Sequence, residues 1–153
     1  MKKVVWALLF VGAMALAYHW YTGWTAYKTY ERFADTWVRE DKKAAARYGD
    51  AATVRHAFEE RALRGTEGGA TMEAFRGTSY SLESKSRSNG GDVELRVMQS
   101  VFFDPPGTTS AIGGAMVAHF RDTATVRKTP DGWKVVAFEP TYLDMAPLRR
   151  GRP

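Results

Sequence analysis

The sequence has 153 residues, no cysteine, and 22 lysine and arginine residues against 17 acidic ones. Without cysteine, the chain cannot form disulfides, cysteine-ligated zinc or iron–sulfur sites, or a thiol nucleophile. The excess of five positive charges lies in the two tails, at Lys2, Lys3, Arg149, Arg150 and Arg152. Because the rest of the chain is balanced, the basic composition does not predict nucleic-acid binding.

An apolar run of 18 residues follows Lys2 and Lys3 and covers residues 4–21 without a formal charge. As a helix at ~1.5 Å per residue it would measure about 27 Å, close to the ~30 Å hydrocarbon core of a bilayer. Aromatic residues at its end are typical of the membrane–water interface. The pattern predicts a single-pass anchor over 1–24 in a bacterial inner membrane, with a cytoplasmic N-terminus and a periplasmic domain.

A second interpretation of this segment is a cleaved signal peptide. Ala15-Leu16-Ala17 has the small-residue pattern of a cleavage site, and cleavage after Ala17 would release a periplasmic protein. Against cleavage, the aromatic residues continue past Ala17 and no Gly/Pro/Ser-rich linker follows. The sequence favours the retained anchor and leaves the choice open.

The exported part is predicted to begin with helices. Over 25–48 the apolar residues share one helical face, namely Tyr30, Phe33, Trp37, Ala44 and Tyr48. Gly49 suits the left-handed position that ends a helix, and Asp50 suits the N-cap of a second helix over 51–63.

From Phe75 onward the hydrophobic period changes from 3.6 to 2, which is typical of strands. Four strands are predicted, over 75–86, 93–103, 115–127 and 133–138. Asn89-Gly90-Gly91-Asp92 and Thr129-Pro130-Asp131-Gly132 are predicted turns, and Pro140 is expected to end the last strand. The predicted fold class is α+β: an N-terminal transmembrane helix, then helices packed on a curved antiparallel sheet of about four strands. We place this domain at 25–146 and a flexible basic tail at 147–153.

Two local patterns carry a resemblance to a known superfamily. The helix joint Tyr48-Gly49-Asp50-Ala51 and the closing segment Thr-Pro-Asp-Gly-Trp-Lys-Val-Val-Ala-Phe resemble those of the nuclear transport factor 2-like superfamily. Its cone-shaped domains are also called cystatin-like or ketosteroid-isomerase-like. The resemblance covers about 25–143 and implies a concave pocket between sheet and helices. Since the fold hosts enzymes, binding proteins and scaffolds, it implies no single function.

Three polar residues interrupt faces that are otherwise apolar. Asp122 follows Phe120 in an apolar alternation, Gln99 does so in the preceding strand, and Tyr80 offers a hydroxyl on an inward face. A buried carboxylate with a raised pKa can act as a general base, so these residues are the catalytic candidates. The alternatives are a bulge that turns Asp122 outward, or pairing with an arginine such as Arg96. The family's catalytic residues have no matching positions here, so the sequence leaves enzymatic activity uncertain and favours a non-catalytic role.

The aromatic residues Trp20, Trp24 and Tyr27 are predicted to project beyond the core and to contact a partner near the membrane. His19, His56 and His119 lack metal-ligand spacing, and the sequence predicts neither a metal site nor a cofactor.

These observations predict a bitopic inner-membrane protein whose periplasmic domain is an assembly or partner-binding module of an envelope complex. The expected partners are envelope proteins or further copies of the chain. Its architecture is similar to that of the bitopic assembly factors of type IV secretion systems. The alternative is a periplasmic protein that binds an apolar small molecule, or an isomerase- or dehydratase-like enzyme that uses the cone pocket.

Overall fold

The computed structural model describes residues 2–64, 75–104 and 115–148, with the backbone alone described for 2–9, 19–23 and 61–64. These ranges contain three helices and four strands: α1 Lys2–Val38, α2 Lys42–Ala45, α3 Ala51–Arg64, β1 Phe75–Arg87, β2 Val93–Phe103, β3 Met116–Thr129 and β4 Gly132–Pro147. The strands pair antiparallel in the order β1-β2-β3-β4. This confirms the α+β class and the curved four-stranded sheet.

The core lies between the second half of α1 and the inner face of the sheet. Tyr30 and Phe33 of α1 are fully buried, and the Phe33 ring meets the Phe138 ring of β4 edge to face at 5.2 Å. On β2 every second residue from Val93 to Phe103 is buried, as its alternating sequence predicts. The helical period of α1 and the two-residue period of β2 thus supply the two faces of one core.

The prediction of one helix over 25–48 is wrong, because α1 ends at Val38 and α2 begins at Lys42. Glu40 adopts a left-handed backbone conformation, with φ of 57°. The next residue, Asp41, accepts a hydrogen bond of 2.8 Å from the backbone N–H of Ala44 and so caps α2. Because the Asp41 carboxylate accepts a hydrogen bond from the backbone at this point, a new helix begins here.

The joint before α3 differs from the prediction at Gly49 and confirms it at Asp50. Gly49 does not have the predicted left-handed conformation, since the positive-φ glycines of the described chain are Gly91 and Gly132. Gly49 instead allows its backbone to approach the Phe33 ring closely, because a Cβ atom at this position would lie 2.5 Å from Cε2 of Phe33. Asp50 caps α3 as predicted, accepting a 2.7 Å hydrogen bond from the Thr53 N–H.

Backbone hydrogen bonds connect this joint to the last strand. The Val135 N–H donates to the Tyr48 carbonyl at 2.8 Å, and the Asp50 N–H donates to the Val135 carbonyl at 3.0 Å. Gly49 and Val135 therefore form an isolated parallel bridge. The two segments that carry the superfamily resemblance are in direct contact.

The strand ends agree with the sequence pattern except at Pro140. The expectation that Pro140 ends the last strand is wrong, because β4 continues to Pro147 with Pro140 opposite Asp122. An edge strand such as β4 tolerates proline where the missing N–H would face away from the sheet. Both predicted turns contain a glycine with positive φ, Gly91 at 85° in the first and Gly132 at 109° in the second.

The N-terminal half of α1 extends the core helix without a break, so no linker separates residues 1–24 from the domain. Its described apolar side chains are exposed: Phe10, Val11, Met14, Leu16, Tyr18 and Trp24. In the part of the chain that the structure describes, no helix reaches both the length and the hydropathy of a membrane span. Of the predicted tail over 147–153, Pro147 is the last residue of β4, and residues 149–153 lie outside the described residues.

Candidate functional site

Asp122 lies on the inner face of the sheet and is fully buried. The irregularities of β3 fall between His119 and Phe120 and between Thr125 and Val126, so no bulge turns Asp122 outward. Arg96 is exposed, and its register partner is Thr123, which faces away from the core. Neither sequence alternative for Asp122 is therefore realised, and the carboxyl group stays in the core.

The partner of Asp122 is a phenol from α1. The Tyr30 hydroxyl donates a hydrogen bond of 2.5 Å to Oδ2 of Asp122, and both side chains are fully buried. The second carboxyl oxygen, Oδ1, is also buried and has no hydrogen-bond partner among the described residues. A buried acceptor without a donor is costly, so this oxygen is an unsatisfied polar atom of the core.

Gln99 and Tyr80 complete the cluster from the two neighbouring strands. Tyr80, Gln99 and Phe120 occupy one row across β1, β2 and β3. Nε2 of Gln99 lies 3.5 Å from the Tyr80 hydroxyl oxygen, and Oε1 of Gln99 is buried with no partner in the part of the chain that the structure describes. The Tyr80 ring meets the Tyr30 ring edge to face at 6.0 Å. The structure thus brings the three candidates together and adds Tyr30.

Burial dominates the protonation of this cluster. It raises the pKa of Asp122 from 3.8 to about 7, although the hydrogen bond from Tyr30 favours the ionised form. Burial and the neighbouring carboxylate raise the pKa of Tyr30 well above 10, and burial raises that of Tyr80 to about 12. Near neutral pH both phenols are therefore donors, while the carboxyl group is close to its titration midpoint and can take up or release a proton.

The concave face is closed at this point. Asp122 and Gln99 have no solvent exposure, Tyr30 and Tyr80 contact them, and the Tyr30 ring packs against the rings of Tyr80 and Phe138. The arrangement contains a proton acceptor, phenolic donors and an orienting amide. A substrate would reach them only if the aromatic rings moved aside.

Sequence reasoning placed Tyr30 in the core and missed its role as the partner of Asp122. The sequence contains a hint of this pair, because Tyr30 is at the centre of an inward helix face and Asp122 is on an inward strand face. Pairing them requires the helix-to-sheet register, because the two positions are 92 residues apart.

The predicted membrane-proximal contacts Trp20, Trp24 and Tyr27 have different environments. Trp24 is 49% exposed and so projects beyond the core, while its contact with a partner stays a prediction. Tyr27 does not project beyond the core, because only 7% of it is exposed and its ring stacks at 6.1 Å on that of Tyr30, one turn further along the same helix face. The side chain of Trp20 lies outside the described residues.

The two histidines whose side chains are described lie apart from this cluster. Nε2 of His56 lies 3.5 Å from Glu60 on an exposed helix surface, and Nδ1 of His119 lies 2.9 Å from the Ser100 hydroxyl. The side chain of His19 is outside the described residues. Across the described side chains, no group of three histidine, aspartate or glutamate residues converges on a metal-binding geometry.

No protein-family model, curated protein or solved structure matches this chain. The resemblance to the nuclear transport factor 2-like superfamily therefore remains a hypothesis based on the two local patterns. The site has to be interpreted from its own residues and geometry.

Proposed function

We propose that the chain is a bitopic inner-membrane protein whose exported, nuclear transport factor 2-like domain is a partner-binding module of a secretion-system-like envelope complex. The observation that carries the proposal is the exposed apolar half of α1. It continues directly from the buried half of the same helix, with no break between them. A domain attached in this way has a fixed direction relative to its anchor.

The exposed side chains support an apolar environment around this part of the helix. Phe10 is 68% exposed and Leu16 is 72% exposed, although both are large and apolar. Every described residue from 10 to 18 is exposed, so the apolar surface surrounds the helix. A helix that is apolar on all sides is typical of a membrane or of the interior of an assembly. Lys2 and Lys3 before the run favour the membrane.

The test of the anchor is fractionation of native membranes followed by the intact mass of the protein. We expect the complete chain in the membrane fraction, resistant to alkaline extraction. A chain that begins at Tyr18 in the soluble periplasmic fraction would contradict the proposal and would identify the segment as a cleaved signal peptide.

Trp24 is the contact that we assign to a protein partner, since it is the exposed aromatic residue next to the folded domain. Trp24→Ala should lower the recovery of co-purifying envelope proteins while the domain stays folded. Leu148→Ala is the matched control, because Leu148 is similarly exposed, at 43%, at the opposite end of the sheet. Equal recovery with the two variants would argue against a partner site at Trp24.

A second candidate function is binding or isomerisation of an apolar small molecule at Asp122. It is favoured by two buried oxygens of this cluster that have no partner among the described residues, Oδ1 of Asp122 and Oε1 of Gln99. With a cyclic enone as the probe, Asp122→Asn should remove a thermal shift that Asp144→Asn, at an exposed carboxylate, retains. If wild-type protein and both variants show the same shift, the carboxyl group takes no part in binding.

A further inference from the structure

Two turns of the sheet lie beside the exposed half of α1 and form a groove of about 320 Å³. One turn joins β1 to β2 and the other joins β3 to β4. The side chains that matter for its chemistry are Tyr18, Arg87, Asp92, Arg127, Lys128 and Trp133. The cluster buried around Asp122 contributes none of them, so the groove is a separate feature. We call it the hairpin groove.

The hairpin groove is positively charged. Among its lining residues are three cationic side chains and one carboxylate, which gives a net charge of +2. The carboxylate, Asp92, accepts three hydrogen bonds from Arg127, from Nε to Oδ1 at 2.9 Å, from Nε to Oδ2 at 3.2 Å and from Nη2 to Oδ2 at 2.7 Å. The same contact lowers the pKa of Asp92. This pair holds the Arg127 guanidinium in a defined position on the groove wall.

The position of the groove along α1 relates it to the proposed anchor. Tyr18 lines the groove and also belongs to the last turn of the predicted span over 4–21. The helix from Val4 to Tyr18 is about 21 Å long at ~1.5 Å per residue. The groove therefore lies at the end of the span where tyrosine and tryptophan meet the lipid headgroups, and Trp133 adds a further ring at this level.

We propose that the hairpin groove binds the phosphate of an anionic phospholipid headgroup and so holds the turn end of the sheet on the membrane surface. The inference rests on the proposed membrane anchor. Guanidinium and ammonium groups donate charge-assisted hydrogen bonds to phosphate oxygens, and basic residues near a bilayer are attracted to anionic lipid. A soluble phosphate would meet the same cations, but the groove is at headgroup depth, where lipid phosphate is concentrated.

The absence of cysteine makes a direct test possible, since one introduced cysteine labels one position. Asn89→Cys places a fluorophore on the exposed β1–β2 turn, and Leu148→Cys places it at the other end of the sheet. The labelled full chain is reconstituted into phosphatidylcholine vesicles with or without phosphatidylglycerol, both carrying a headgroup nitroxide as quencher. We expect phosphatidylglycerol to increase quenching at position 89 and to leave position 148 unquenched.

Removing the groove charges should reverse this increase. Arg87→Gln with Lys128→Gln should lower the ratio of headgroup-bound to unbound turns about fivefold per charge. The matched control is Lys42→Gln with Lys43→Gln, which removes the same charge from exposed positions on α2. The control pair should quench like the unsubstituted chain.

The outcomes separate this inference from the proposed anchor. In the first outcome the protein resists alkaline extraction, but phosphatidylglycerol does not change the quenching at position 89, or the two double substitutions change it equally. This outcome overturns the headgroup site and leaves the anchor standing. If millimolar glycerol phosphate reduces the quenching at position 89, the groove binds soluble phosphate, and the lipid assignment is overturned. Complete extraction of the protein from both kinds of vesicle overturns the anchor and, with it, the inference.

Discussion

Phe10 and Phe33 belong to the same uninterrupted helix, yet Phe10 is 68% exposed and Phe33 is fully buried. The difference follows from what each half of α1 faces, because among the described side chains of α1 only those from Ala26 onward belong to the buried core. The domain's own core therefore explains the apolar residues of the second half, and it does not explain those of the first. The exposed half needs another apolar environment, and this need is the basis of the proposed membrane anchor.

The largest expected effect comes from the direct comparison of these two phenylalanines. Phe33→Ala should lower the free energy of unfolding by about 3–5 kcal/mol, since it leaves a cavity against the ring of Phe138. Phe10→Ala should change it by less than about 0.5 kcal/mol. Urea unfolding of the full chain in detergent measures both. A large loss for Phe10→Ala would mean that the exposed half contributes to the folded domain.

The next effect concerns the polar centre of the buried half. Burial raises the pKa of Asp122 to about 7 in the folded protein, so the folded state binds this proton more tightly than the unfolded chain. Stability from this group is complete below about pH 4 and is lost as the pH rises to about 7. The full loss is about 4 kcal/mol at ~1.4 kcal/mol per pKa unit. The side chain of Asp122→Asn cannot ionise, so the free energy of unfolding of this variant should exceed that of wild type by up to that amount at pH 8. At pH 4 the two free energies should differ little.

Urea unfolding of wild type and variant at pH 4, 6 and 8 measures this difference, in which the effects of the other carboxylates cancel. Asp144→Asn, at an exposed position of β4, is the control and should follow the wild-type pH dependence. If Asp122→Asn does so as well, the carboxyl group does not titrate in a buried site.

A third test concerns the joint that supports the buried half. Gly49→Ala places a Cβ 2.5 Å from the Phe33 ring and should cost about 1–3 kcal/mol through overpacking. Gly77→Ala, on β1, is the control, since a Cβ there has open space and should have little effect. Thermal unfolding of the two variants compares them. Equal midpoints would show that the joint has room to relax.

The last comparison concerns the boundary between the two halves, where Trp24 is expected to contribute little to stability. Trp24 is half-exposed, and its described contacts include the Lys28 ammonium at 4.9 Å from the ring. Trp24→Ala should lower stability by about 1 kcal/mol or less. Tyr27→Ala, three residues further into the core, should cost about 3 kcal/mol. If urea unfolding shows a similar loss of stability for both variants, the folded domain begins closer to the N-terminus than Trp24.

Alternation along the chain predicted the inner sheet face well. The two-residue period of β2 and β3 identified Gln99 and Asp122 as inward positions, and both are fully buried. Local chemistry also predicted the Asp50 cap, because a carboxylate before a helix satisfies N–H groups only two or three residues away. These features depend on neighbours in sequence, which is why a single sequence contains them.

The features that sequence reasoning missed depend on distant contacts. Tyr30 meets Asp122 only when α1 lies across β3, and Gly49 is needed because the Phe33 ring approaches its backbone. The end of α1 at Val38 follows from the left-handed Glu40, a conformation that glutamate rarely adopts and that no local pattern indicates. Pro140 fits within β4 because this strand is at the edge of the sheet.

The hydrogen bond between Tyr30 and Asp122 also has a consequence for biosynthesis. Its partners are 92 positions apart, so the inward face of α1 leaves the ribosome long before β3 exists to cover it. At about 5–20 residues per second, this interval is roughly 5–20 seconds. During this time Tyr30, Phe33 and their neighbours are uncovered, and such apolar surfaces promote aggregation. Early capture of the N-terminal half of α1 by the membrane would keep nascent chains apart while the sheet is still being made.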